Sequence, residues 1–166
     1  MKLWIGQVSR ILSGSVIAVV FSAVFSISQA ADRHAGYYYP EPQPTEVYEA
    51  RVDELPNADR RTRIAFVTGI AAQQQRNPYA PTFHLFAKGE YGEKLIIIAT
   101  GSGHYRTVYQ LRGLLASLTA VARSTPVFLD HVAPENLTFL DLCKMLGVKL
   151  LTMTDGENVA HQFQIQ

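Results

Sequence analysis

Leu95 to Thr100 reads LIIIAT, an unbroken apolar and β-branched run, and the chain then continues into a helix-period pattern from Thr107 to Arg123. A run of this kind suits a central strand covered on both faces, because an exposed face would alternate with polar residues. In the second pattern Val108, Leu111, Leu114, Leu115, Leu118, Val121 and Ala122 recur at spacings of three and four. That is the stripe of an amphipathic helix laid on a sheet. Together the two segments require a layered fold with at least one helix against a β-sheet.

Flanking segments extend the sheet. Thr82 to Ala87 (TFHLFA) alternates like a strand, and Lys88 to Lys94 (KGEYGEK) has the glycines and charges of a hairpin loop, so these strands are expected to be antiparallel neighbours. Lys149 to Met153 and Ala160 to Ile165 bracket Asp155-Gly156 and predict a terminal hairpin. Val47 to Val52 is expected to be a short edge strand, with Asn57 to Arg61 a charged turn. Arg63 to Thr68 (RIAFVT) reads as a core strand, followed after Gly69 by one or two helical turns up to Asn77-Pro78. Pro126 should stop the long helix. A second helix is expected from Pro134-Glu135, with Leu137, Leu140, Leu142, Cys143 and Leu146 inward and Gly147 as its stop. The expected class is α+β: a mainly antiparallel sheet with two main helices packed chiefly on one face and a terminal β-hairpin.

The N-terminus describes an address. Lys2 and Arg10 precede an apolar run of ten residues, Val16 to Phe25, and Ser28 and Ala30 place small residues where a signal peptidase reads. The run is too short for a spanning helix, which needs about twenty residues. Residues 1–30 are therefore expected to be a signal peptide, residues 31–44 an extended arm rich in Tyr and Pro, and residues 45–166 a single domain in the periplasm. An uncleaved anchor over Ile11 to Ala30 is the competing reading.

Charge narrows the function. The full chain has 15 Lys+Arg and 14 Asp+Glu, formally +1. The first thirty residues hold two bases and no acid, so the remainder is formally −1. That balance predicts no nucleic-acid partner, and the lack of a second long apolar run predicts no membrane contact after cleavage. The single cysteine, Cys143, has no intrachain partner and falls on a leucine-rich face, which makes it a small core residue.

Two segments are candidates for binding. Gly101, Ser102, Gly103, His104 and Arg106 follow the apolar strand and open onto the long helix, where glycine N–H groups and the helix dipole can hold an anion. The loop lacks the lysine of a P-loop and the dinucleotide fingerprint, and its plainer role is a turn whose Ser102 or Thr107 caps the helix. Tyr37, Tyr38 and Tyr39 in the arm form a candidate strip for a protein partner. No catalytic residue, metal ligand or cofactor is assigned. Ser102 lacks the glycines of a nucleophile elbow, Asp130-His131 lies between helices, and the five histidines show no ligand spacing. The expectation is a non-catalytic binding or accessory domain for a protein partner or small ligand. The alternative is an enzyme or binding protein for a phosphorylated or nucleotide-like molecule held by the 101–107 loop.

The stretches ADRHAGYYYPEP, RRTRIAFVTG, FAKGEYGEKLIII and TDGENVAHQFQIQ resemble a family of small exported alphaproteobacterial proteins. The likeness covers nearly all of residues 31–166 and carries no catalytic motif. Some members bear the label molybdopterin-guanine dinucleotide biosynthesis protein A. That label implies a cytoplasmic nucleotidyltransferase with an N-terminal glycine-rich phosphate loop, and no such loop stands in this sequence.

Overall fold

The structure, a computed structural model, describes residues 39–43, 45–101, 103–130 and 133–166. Residues 1–30, expected to be a signal peptide, most of the arm with Tyr37 and Tyr38, Ser102 and His131 lie outside the described residues.

Five strands form one sheet: β1 (Thr45–Tyr48), β2 (Phe83–Lys88), β3 (Lys94–Ala99), β4 (Leu150–Thr154) and β5 (Ala160–Ile165), in the order β1-β5-β4-β3-β2. The hairpins β2–β3 and β4–β5 are antiparallel, with Leu85 opposite Ile97 and Met153 opposite His161. β3 and β4 run parallel, as do β1 and β5. The α+β class, the helices against the sheet and the terminal hairpin are as expected, and the sheet is mixed because half of its pairings are parallel. The parallel pairs join segments far apart in sequence, and no hairpin turn announces them.

Helices α1 (Arg60–Arg76), α2 (Val108–Arg123), the single turn α3 (Pro126–Leu129) and α4 (Phe139–Met145) complete the domain. Leu85, Leu95, Ile97, Leu151, Met153 and Phe163 of the sheet share one apolar cluster with Leu111, Leu114 and Leu118 of α2 and Phe139, Leu142 and Cys143 of α4. Ile96, on the other face of β3, is also buried, as its continuous apolar run predicts. Cys143 is fully buried with a free thiol, and burial raises its pKa. Cys143→Ala should cost about 1–2 kcal/mol in a denaturant titration, and the native thiol should resist labelling.

Two expectations need correction. Arg63 to Thr68 is not a core strand but the first half of α1. Asp59 starts that helix by accepting from the Thr62 N–H at 2.7 Å, and Arg63, Phe66, Val67, Ile70 and Gln74 then recur at helical spacing on its inner side. Gly69 does not end it, because its Cα faces open space. The second helix does not begin at Pro134. Residues Pro134–Asn136 are a 3-10 turn, and α4 starts after Thr138, which forms a reciprocal capping box with Asp141. Gly147 does stop it: at φ +71° it donates to Lys144 O, and Val148 N–H reaches Cys143 O at 2.9 Å, a Schellman closure.

Candidate functional site

The 101–107 loop lies at the carboxyl end of β3, beside the β4–β5 turn. Gly101 and Gly103 have φ of +120° and +92°, so the loop uses glycine for its backbone shape. Its helix-facing donors are already engaged. Gln110 Oε1 accepts from the Arg106 N–H at 2.8 Å and the Thr107 N–H at 3.1 Å, while Thr107 Oγ1 accepts from the Gln110 N–H at 3.2 Å. Thr107, and not Ser102, is therefore the N-cap of α2, in a full capping box. His104 donates its N–H to Gly101 O within the turn and its side chain is exposed.

A cleft of about 320 Å³ separates this loop from the β4–β5 turn, with Arg106 on one side and Asp155, Glu157 and Asn158 on the other. Asp155 is committed to its own turn. Burial acts to raise its pKa, but backbone N–H groups of Val159, Glu157 and Asn158 donate to the carboxylate and hold it below the usual range. An anion entering here would meet Arg106 on one side but two carboxylates on the other, and the N–H groups of His104, Arg106 and Thr107 are already engaged. The geometry thus matches the turn-and-cap role for Gly101, Gly103, His104 and Arg106.

The arm contributes one described tyrosine, Tyr39, which is half-buried and has a partner. Gln43 donates its N–H to Ala160 O at 2.9 Å, so the end of the arm prolongs the β1–β5 pairing. Pro42, the residue before Gln43, falls at the alternate position, where an extended strand directs its N–H away from that neighbour.

A second, larger cleft of about 380 Å³ opens between α1, the start of β2, α2 and α4. Phe66 and Ile70 of α1, Phe83 of β2, Leu118 and Val121 of α2 and Phe139 of α4 supply its apolar walls. Its polar side chains are those of Gln73, Gln74, Asn77, Tyr79, Thr82 and Thr125, with no carboxylate or cationic group among them. Gln74 Nε2 donates to Phe83 O at 2.9 Å, pinning the end of α1 to β2. Sequence reasoning missed this cleft, because Arg63 to Thr68, which brings Phe66 to its wall, reads as a strand.

Two ionisable clusters lie elsewhere in the core. Asp141 is fully buried. Its carboxylate accepts from Tyr48 OH at 2.8 Å, the Arg51 N–H at 2.9 Å, and both the N–H and Oγ1 of Thr138 at 2.7 and 2.9 Å. Burial acts to raise its pKa, and these donors hold it below the ordinary range; burial raises that of Tyr48. Both carboxylate oxygens are used in binding the fold together, so Asp141 is a structural carboxylate.

His161 is different. Its side chain is 0 % exposed and stacks on Phe163 with ring centroids 4.3 Å apart. Nε2 lies 3.1 Å from Glu46 Oε1 but outside hydrogen-bond geometry, and Nδ1 has no hydrogen-bond partner. Arg112 of α2 pairs with the same carboxylate. Burial pushes the imidazole pKa down, Glu46 opposes the shift and Arg112 adds to it. A depressed histidine stabilises the fold fully above about pH 6.5, the unfolded value, and loses that contribution as pH falls toward the folded one. Unfolding free energy should therefore fall by up to about 1.4 kcal/mol per pH unit through this window. His161→Gln should flatten the slope in urea titrations between pH 7.5 and 5.

Among the described residues no group of three or more His, Cys, Asp or Glu side chains could hold a metal ion. Likewise, no described helix is long and apolar enough to cross a membrane. No protein-family model, curated protein or solved structure matches this chain.

Proposed function

We propose that this chain is a non-catalytic binding or accessory domain that works in the periplasm. The observation that carries the binding role is the cleft beneath α1: open, apolar, and walled by no Asp, Glu, His, Lys, Arg or Cys side chain. Such a lining can desolvate and hold a molecule, and it offers its Tyr79, Thr82 and Thr125 hydroxyls no carboxylate, imidazole or amine to activate them. The export signal read in residues 1–30, and the resemblance to small exported proteins, support the compartment. The competing role, recognition of a phosphorylated molecule by Gly101 to Thr107, is disfavoured by the engaged amides of α2 and by Asp155 and Glu157 across the narrower cleft.

The test is purification of the protein from the periplasm under mild conditions, followed by mass spectrometry of co-purifying proteins and small molecules. A stoichiometric companion that is recovered unaltered supports the proposal. Thermal melts with phosphate, sulfate and a nucleotide examine the competitor. No shift is expected, and Arg106→Ala should melt like the parent in every solution. A rise of several degrees that Arg106→Ala abolishes would replace this proposal with the anion site.

A further inference from the structure

Helix α1 is seventeen residues long, yet among its side chains only Arg63 is buried. An amphipathic helix on a domain surface ordinarily buries its apolar stripe. Here Phe66, Val67 and Ile70 touch the core and remain half-exposed. The helix is tied down near its two ends instead. Arg63 donates to Tyr91 O and Leu146 O at 3.0 and 2.9 Å near the start, and Gln74 donates to Phe83 O near the finish. Between those ties Phe66 and Ile70 wall the 380 Å³ cleft. Tyr79 and Val121 at its mouth are 79 % and 57 % exposed.

We infer that this cleft is a binding site for one small uncharged molecule with an aromatic or short hydrocarbon body, seated under α1. The inference rests on the proposed binding role and names the ligand class. Neutrality follows from the lining: a charged group placed there would lose its hydration with no opposite charge to replace it. Size follows from the volume, which at about 30 Å³ per water-sized group admits about a dozen non-hydrogen atoms. The amides of Gln73 and Asn77 and the hydroxyl-bearing Thr82 and Thr125 suit one or two neutral hydrogen-bonding groups at the ligand's end. The ligand would cover the stripe of α1 that the core leaves half-exposed, so its binding energy comes mainly from apolar area that the domain itself does not bury.

The experiment titrates the full chain with the neutral fluorophore 1-naphthylamine, whose size matches the cleft, and displaces it with decan-1-ol or decanoate. Val121→Trp and Gln73→Trp put bulk at exposed positions of the cleft wall, and Ala116→Trp puts the same bulk on an exposed part of α2 that does not line it. Residues 16–25 are present in every variant, so any dye they take up is common to all. Saturable one-to-one binding, weakened at least tenfold by Val121→Trp and by Gln73→Trp and unchanged by Ala116→Trp, is the expected result. Decan-1-ol should compete at least tenfold better than decanoate. Equal binding in all variants would move the site elsewhere and overturn the inference, as would decanoate competing as well as decan-1-ol. A change of oligomeric state in Val121→Trp alone would make the cleft an interface between copies and overturn it too. If the dye does not bind while an unaltered companion co-purifies, the ligand class falls and the broader binding role stands.

Discussion

Asp141→Ala is expected to lower the unfolding free energy by about 3 kcal/mol or more. The substitution leaves the N–H groups of Arg51 and Thr138 and the hydroxyl of Tyr48 without their shared acceptor. Each buried donor left unpaired costs about 1–3 kcal/mol. The damage reaches beyond α4, because Tyr48 belongs to edge strand β1 and Arg51 to the segment that follows it. Chemical denaturation at pH 7 measures the loss, and a change under 1 kcal/mol would show that the network contributes little. Asp141→Asn should recover only part, since its amide donors would face other donors. The pH dependence has a definite sign. Asp141 has a depressed folded pKa, so its contribution is complete above about pH 4 and disappears as pH falls through the folded value. That lies below the His161 window, and the two losses should separate in a pH series.

The second large effect is at Arg63. This buried guanidinium donates to Tyr91 O, Ala58 O and Leu146 O, and so fills the carboxyl end of α4, where its charge also opposes the helix dipole. Arg63→Ala should cost about 3 kcal/mol through unpaired carbonyls and lost packing. Gly147 is built around the same group. It needs its positive φ, and a Cβ there would lie 2.6 Å from Arg63 Nη1. Gly147→Ala should therefore destabilise the parent through both strain and clash, and less so in an Arg63→Ala background, where the strain and a 3.2 Å approach to Glu54 Oε2 remain. A double-mutant cycle by urea unfolding reads that coupling directly; strict additivity would mean that the clash relaxes at no cost.

These two residues explain how a seven-residue helix stands at the centre of the core. Isolated helices of that length are not stable. Residues 48–63 clasp α4 at both ends: Tyr48 and Arg51 meet Asp141 at its start, while the Leu55 N–H reaches Met145 O and Arg63 reaches Leu146 O at its finish. The opposite side is tied to α2, where Thr119 Oγ1 accepts from the Phe139 N–H and Arg123 donates to Leu137 O.

Local chemistry settled the parts of this protein that depend on near neighbours. The β2–β3 and β4–β5 hairpins, helix α2 with its inward leucines, the stop at Gly147 and the buried place of Cys143 were all legible, because periodicity, glycine and capping act over a few residues. Helix α1 was legible in principle, from Asp59 and the helical spacing of Arg63, Phe66, Ile70 and Gln74, but its β-branched residues pointed the other way and packing against β2 decided. The parallel pairings of β3 with β4 and of β1 with β5 left no local trace. Nor did the carboxylate of Asp141 meeting Tyr48 and Arg51 some ninety positions away, the imidazole of His161 enclosed beneath α2, or the cleft under α1. Each is made by segments distant in sequence, and burial, which turns an ordinary Asp or His into a structural or titrating group, exists only after those segments have packed.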